Sequence, residues 1–155
     1  MKKYLLIILI AMLPLVELRG AMPVAIASGL DMLPALALCV IANMLPVPVV
    51  YFFARKFLLW GAKQRHIGKF CRFFVEKGER AGQRLVAKTG RYGIFFALLL
   101  FVGIPIPGTG AWTGTLAASF LDIGFKTTVV AVCLGVLLAG CIMGFASLGV
   151  FGIIF

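Results

Sequence analysis

Two charged residues interrupt an apolar stretch that otherwise runs over residues 4–30. Glu17 and Arg19 stand near its centre, where no other residue is charged. A buried carboxylate can exchange a proton, and a guanidinium beside it can hold an anion. In a bilayer core each would cost on the order of 2.5–3.5 kcal/mol if it had no partner. Glu17 is therefore a candidate proton carrier and Arg19 a candidate anion ligand.

A second apolar stretch is interrupted at residues 105–110 by the run PIPGTG. Its prolines remove backbone donors, its glycines allow close approach of the backbone, and Thr109 offers a hydroxyl. A helix that begins after this break would present unpaired N–H groups to an anion, with Trp112 stacked against the tip. The alternative for the run PIPGTG is an ordinary turn between two helices, and the alternative for Trp112 is an anchor at the membrane interface. The candidate substrate- or ion-binding residues are Glu17, Arg19, Gly20, Asn43, Pro105, Pro107, Gly108, Thr109, Gly110, Trp112 and Thr113.

The composition indicates the setting in which these residues act. The chain of 155 residues is 63% hydrophobic and 13% charged, with a mean hydropathy of +1.12. Soluble domains have about 45–50% apolar and 25% charged residues, so the sequence predicts an integral membrane protein. Of the 15 basic residues, 11 lie in segment 54–92, beside 2 acidic ones. The apolar flanks of this segment argue against a nucleic-acid partner.

The spacing of the breaks predicts two helical hairpins. The limbs on either side of each break hold only 11–13 residues. Each limb would be about 16–20 Å long, roughly half of a 30 Å hydrocarbon core. We therefore expect re-entrant hairpins over residues 4–31 and 93–122. For the first hairpin, one broken spanning helix is the alternative. Lys2 and Lys3 followed by apolar residues resemble a signal peptide, but retention is favoured over cleavage because no convincing cleavage site follows.

Two longer apolar stretches predict full transmembrane helices over residues 34–53 and 127–155. Pro46 and Pro48 are expected to make the second half of the first span irregular. Segment 54–92 between the halves shows a helical period, which favours a basic amphipathic helix on an anionic membrane surface over a solvated loop. The positive-inside rule places this linker in the cytoplasm.

These elements predict one membrane domain over residues 1–155 of an all-α integral membrane protein. Its fold would be an inverted repeat of re-entrant helical hairpin plus transmembrane helix, joined by the basic amphipathic cytoplasmic linker. The hairpin tips would then meet near the bilayer midplane. Lys2 and Lys3 would lie outside, against the usual charge bias. The expected location is a bacterial plasma or inner membrane, which the chain crosses more than once.

The reactive residue types do not suggest an enzyme. The four cysteines form no C-x-x-C pair, and the single histidine, His66, lies in the basic segment without a nucleophile near it in sequence. We expect neither a metal site nor a cofactor.

Two motifs resemble the signatures of the small multidrug export protein family. They are PLVELRGAMP at residues 14–23 and PIPGTGAWTG at 105–114, and the region around Ala42-Asn43 and 45–48 is similar as well. That family is related to the DedA-like membrane proteins. The resemblance implies two re-entrant hairpins, a transporter-like core and, by analogy with DedA-like relatives, lipid-carrier transport with proton coupling. Those relatives commonly keep acidic and arginine residues in both hairpins, whereas the second hairpin here has neither at its break.

Three functions are compatible with these observations. The first is a carrier for an amphipathic anion such as a lipid phosphate, because the tips combine Arg19 with helix N-termini. The second is an efflux carrier for cationic drugs, with Glu17 as the countercharge. The third is a membrane scaffold without transport activity. The expected partners are membrane lipids, the substrate and a second copy of the chain, since two spans and two hairpins are few for a carrier. No nucleic acid is expected.

Overall fold

The computed structural model describes residues 2–13, 16–64, 68–106 and 109–154, and every regular element in these ranges is helical. The all-α prediction is therefore confirmed for the described part of the chain. Seven helices follow one another: α1 Lys2–Met12, α2 Glu17–Ala27, α3 Met32–Met44, α4 Pro46–Ala62, α5 Gly68–Gly103, α6 Ala111–Phe120 and α7 Phe125–Ile154.

Helices α3 and α4 follow one another without a break and form the first long apolar segment. Leu45 between them keeps helical backbone angles, with φ −57° and ψ −46°. Pro46 is the first residue of α4, where the missing N–H of proline costs least. The combined segment Met32–Ala62 is 31 residues long, with a mean hydropathy of 2.1. The helical segment thus continues beyond residue 53, where we expected the span to end. The irregularity expected from Pro46 and Pro48 is limited to Leu45, the single residue between α3 and α4.

Helix α5 joins the basic linker to the first limb of the second hairpin. Gly90 is its one residue with non-helical backbone angles, φ 67° and ψ 176°. Only glycine adopts this conformation readily, and the helix changes direction there. The glycines at positions 78 and 82 also predict breaks in the linker helix. Both lie within helical backbone, so those two expected breaks are wrong.

Each of the two segments that we expect to form a hairpin contains an antiparallel pair of helices, whereas their re-entrant character stays a prediction. At the open end of the first pair, Lys3 Nζ near the start of α1 donates a hydrogen bond to the carbonyl of Ser28, just after α2, at 3.2 Å. In the second pair, α6 returns along the last part of α5, and Gly114 packs against Val102. The short limbs and the second break are thus predictable from the sequence. We expected the first break at Glu17 and Arg19, and that position is wrong, because α2 already begins at Glu17.

Helix α7 runs past both hairpins. Its start follows the open end of the second hairpin, and further along Gly135 lies against Val102 of α5. Gly140 then packs on Leu18 next to the first break, and Gly144 packs on Met22 toward the open end of the first hairpin. The two hairpins therefore approach each other from opposite ends of α7. Their placement relative to a membrane and the inverted repeat stay predictions.

Candidate functional site

The two hairpin tips meet through the side chain of Glu17. Its carboxylate accepts a hydrogen bond from the backbone N–H of Ala111 at 3.2 Å, on Oε2, and one from Trp112 at 3.0 Å, on Oε1. These N–H groups open α6 and have no partner within that helix. Glu17 is 6% exposed and has a positive φ of 50°. Such a conformation is uncommon outside glycine, and here it directs the side chain of one hairpin onto the helix start of the other.

Gly110 makes this contact possible. A Cβ atom at this position would overlap the Glu17 carboxylate. We expected Gly110 to let a ligand approach the backbone, and the group that approaches is a side chain of the same protein. The N-terminus of α6 is thus an anion site filled by the chain's own carboxylate.

Arg19 makes the complementary contact with the end of the incoming limb. Its guanidinium donates hydrogen bonds to the carbonyl of Ile106, to the carbonyl of Ile104 at 3.2 Å and to Thr109 Oγ1 at 2.7 Å. These groups follow the end of α5 at Gly103, where helix carbonyls lose their partners. Carbonyls without a helical partner suit a cation or a proton network, and here the guanidinium of Arg19 occupies them.

Trp112 adds a third contact between the tips. Its indole Nε1 donates a hydrogen bond to the carbonyl of Met12, the last residue of α1, at 3.2 Å. The contacts of Glu17, Arg19 and Trp112 each connect the first hairpin to the second. We call this set of contacts the tip junction.

Asn43 reaches the tip junction from the long helix α3. It is 1% exposed and lines a cavity of about 10 Å³ together with Glu17, Arg19, Gly110 and Ala111. Its side-chain oxygen Oδ1 has no hydrogen-bond partner among the described residues. The Asn-Met-Leu-Pro sequence places Asn43 within the helix, but its local pattern carries no signal of this distant contact.

The remaining candidate residues have more local surroundings. Thr113 Oγ1 hydrogen-bonds to the carbonyl of Gly110 at 3.3 Å, within its own helix. A Cβ at Gly20 would overlap Val16, so this glycine serves the packing of the first tip. Pro105 is half-buried beside the carbonyls that Arg19 contacts. Pro107 and Gly108 lie outside the described residues. Substrate binding by any of these residues stays a prediction.

A polar network that the sequence does not reveal ties the open end of the second hairpin to α4. Ser119 Oγ donates to the carbonyl of Tyr51 at 3.0 Å, and the Tyr51 hydroxyl donates to the carbonyl of Ile123 at 2.6 Å. One helical turn further, Arg55 forms an ion pair with Asp122. The sequence predicts that Asp122 ends the hairpin at the interface or, as the alternative, takes part in gating or a proton relay. It gives no sign of the pairing with Arg55, because partners separated by 67 residues leave no local pattern.

Metal-binding side chains do not cluster in the described part of the chain. No group of three or more His, Cys, Asp or Glu residues there is arranged to hold a metal ion.

The fold and its surface define a class of protein. Two described helices, Met32–Ala62 and Phe125–Val150, are long and apolar enough to cross a membrane. Large apolar side chains, such as Phe53 and Phe145, are exposed on them at 67% each. Together with the two hairpins, these helices describe an all-helical membrane protein.

The chain belongs to the small multi-drug export protein family, whose model matches residues 17–142. The match begins at Glu17 and contains the basic linker and the three side chains that form the tip junction, whereas Met12 lies before it. The family name describes a transporter rather than an enzyme. No curated protein and no solved structure matches the chain.

Proposed function

We propose that this protein is a transporter whose substrate site is the tip junction. The substrate would be an amphipathic anion, most concretely a lipid phosphate, and Glu17 would exchange a proton during transport. The observation that carries the proposal is the position of the Glu17 carboxylate on the first N–H groups of α6. A site that holds a carboxylate with two backbone donors and an adjacent arginine has the chemistry to hold a phosphate.

Protonation of Glu17 would allow a substrate phosphate to replace the Glu17 carboxylate at the start of α6. A neutral carboxyl group binds the two N–H groups less strongly than a carboxylate, because the charge-assisted part of the interaction is lost. The helix start would then be open to a substrate phosphate, with Thr109 and Arg19 beside it. Proton uptake and anion binding would thus be linked, and the number of negative charges at the junction would stay close to constant.

The position of the junction along the long helices supports a site at mid-membrane. Asn43 lies 11 residues inside the helical segment Met32–Ala62, and Ala139, which lines the same cavity, lies near the centre of Phe125–Val150. The hairpins reach this level from opposite ends of α7. Many transporters place their sites at such a level, where half-helices end. Inverted re-entrant hairpins would give this arrangement in a bilayer.

The basic linker would collect anionic headgroups before transport. Four basic side chains follow one face of α5 and line a groove of about 660 Å³, namely Lys77, Arg80, Arg84 and Lys88. Glu76 lines the same groove and pairs with Arg80 at 3.8 Å, so the charge of the groove stays positive but is reduced by one. Each basic residue near an anionic membrane surface contributes about 1 kcal/mol of attraction. A cytoplasmic position of this face, in the inner membrane of a bacterium, would raise the local concentration of lipid phosphates. We further expect the transporter to work as a homodimer.

Export of cationic drugs is the second candidate, and the name of the family favours it. Glu17 would then serve as the countercharge. Against this, both Glu17 oxygens already accept backbone hydrogen bonds, and Arg19 adds a positive charge that would repel a cation.

Substitution of Arg19 separates the two candidates. Arg19→Gln should weaken binding of phosphatidic acid by about 10- to 150-fold, because a charge-assisted hydrogen bond contributes about 1.5–3 kcal/mol. Binding would be measured by tryptophan fluorescence in nanodiscs with increasing phosphatidic acid in phosphatidylcholine. For a cationic dye such as ethidium, the same variant should bind equally or more tightly if the drug hypothesis holds.

The control for misfolding is the double variant Glu17→Gln with Arg19→Gln, which leaves no unpaired charge at the junction. If the folded double variant bound phosphatidic acid as tightly as the unmodified protein does, the anion site at the tips would be wrong.

A further inference from the structure

Asn43 carries a buried hydrogen-bond acceptor that the tip junction leaves unexplained. The side chain is 1% exposed, and no described residue donates to its Oδ1. A buried polar atom without a partner costs about 1–3 kcal/mol, so such atoms are few in folded proteins. A leucine of similar size would avoid this cost. The buried Asn43 amide is therefore expected to have a hydrogen-bond partner that offsets this cost.

The cavity in front of Asn43 has the volume of one water molecule. It measures about 10 Å³, close to the smallest volume that holds a water. The polar residues that line it, among those described, are Asn43, Glu17 and Arg19. Glu17 and Arg19 are charged. The remaining side chains are apolar or absent: Leu18, Val102, Gly110, Ala111, Val136 and Ala139.

We propose that one buried water occupies this cavity and bridges Glu17 to Asn43 Oδ1. With Glu17 ionised, the water donates one hydrogen to the carboxylate and the other to Asn43. With Glu17 protonated, the carboxyl O–H donates to the water, which still donates to Asn43. The water only rotates between the two states, and Glu17 gains one proton and loses one negative charge. Asn43 is thus a positioning residue, whose Oδ1 accepts a hydrogen bond from the water in both protonation states of Glu17.

The lining favours water over a metal cation. Calcium and magnesium need six or more oxygen ligands, whereas the described lining brings two oxygen-bearing side chains to the cavity. Arg19 on the same wall adds a positive charge that would repel any cation. A water molecule is neutral and needs only two to four polar partners.

The bridge itself does not depend on transport, but its role in proton exchange rests on the proposed function. The test is an experimental structure in lipid nanodiscs at a resolution that shows ordered water. We expect density for one water at hydrogen-bond distance, about 2.7–3.2 Å, from both Asn43 Oδ1 and a Glu17 carboxylate oxygen. A cavity without that density, a direct bond between the two side chains, or a metal ion there would overturn the proposal.

Two variants test whether Asn43 anchors this water. Asn43→Leu conserves volume and removes the acceptor, so its structure should lack the water. Asn43→Ser keeps a hydroxyl acceptor and leaves additional space, so its structure should keep the water and gain room for a second one. If water remained beside Glu17 in the Asn43→Leu structure, Asn43 would not be its anchor.

A pH profile of transport separates this proposal from the proposed function. If the water is present but transport by the unmodified protein is independent of pH, proton exchange by Glu17 fails and the bridge stands. A second outcome concerns Asn43. Suppose that transport depends on pH and loses that dependence in Glu17→Gln, while Asn43→Leu slows transport by less than about twofold. Glu17 would then carry the proton without help from Asn43, and the positioning role would fail.

Discussion

At the scale of single residues, Gly110 limits how closely the two tips can join. Its neighbour Glu17 fills the space that a Cβ atom would need. We expect Gly110→Ala to lower the free energy of unfolding by about 1–3 kcal/mol, because the carboxylate must move and leave two N–H groups unpaired. Thermal unfolding in detergent measures this. Gly124→Ala is the matched control, since a Cβ there meets no atom within 4 Å, and it should change little.

A double variant tests whether the effect of Gly110→Ala passes through Glu17. Glu17→Ala removes the atoms that would collide with the new Cβ. The loss caused by Gly110→Ala should therefore be at least halved in the Glu17→Ala background. Additive losses would show that the two residues do not interact.

Also at this scale, Glu17→Gln tests the titrating group. The substitution keeps the volume of the side chain and removes its ability to exchange a proton. Transport of a fluorescent lipid phosphate in proteoliposomes should lose its pH dependence, while the variant still folds and inserts. Ser147→Ala is the control, because the Ser147 hydroxyl donates a hydrogen bond to the carbonyl of Met143 one turn back in α7 and belongs to no candidate site. Its pH profile should match that of the unmodified protein. A pH profile unchanged by Glu17→Gln would leave Glu17 as a structural cap of α6.

At the scale of helices, α7 depends on a close approach to α5 at Gly135. A Cβ at Gly135 would lie 2.8 Å from the Leu99 carbonyl oxygen and 2.8 Å from Val102 Cβ. Backbone cannot give way as a flexible side chain can, so Gly135→Ala should destabilise the protein by about 1–3 kcal/mol. Gly149→Ala in the same helix has open space and serves as the control. Equal unfolding temperatures for both variants would contradict this packing.

The helices also show what a sequence can predict. Short limbs and breaks predict both hairpins, because chain length and hydropathy are local quantities. The effect of Pro46 was not predictable, since a proline interrupts a helix interior but is tolerated in a first helical turn. Only the surrounding fold decides which applies.

The junction shows the same division between local and distant information. Glu17 and Arg19 are recognisable because charge in an apolar stretch is a local signal. From their spacing we expected them to influence each other. In the structure each binds the other hairpin, across 94 residues for Glu17 and Ala111. Such partners follow from the packing of both hairpins against α7, which a local pattern does not contain.

At the scale of the whole molecule, two groups of polar contacts among the described residues connect the halves of the chain, in addition to the packing of α7 on α2 and α3. The tip junction links the hairpins at the level of Asn43, and the Tyr51 network fastens the open end of the second hairpin to α4. In the transport cycle proposed above, the junction opens while the network keeps the second hairpin in place. A static scaffold would keep the Glu17 contact closed at every pH, whereas the proposed cycle requires this contact to open.

Orientation in the membrane is the last expected property, and it applies to the molecule as a whole. Gln64 and Gln83 are exposed positions in the basic linker. Single cysteines at these positions, in a variant without the four native cysteines, should react only with reagents that reach the cytoplasm, because the 11 basic residues of segment 54–92 hold it there. Asp31→Cys, exposed at the open end of the first hairpin, should react from outside. Labelling of positions 64 and 83 from outside intact cells would show that the orientation is the reverse of the one predicted. The basic linker would then lie away from the cytoplasmic lipid phosphates that it is proposed to collect.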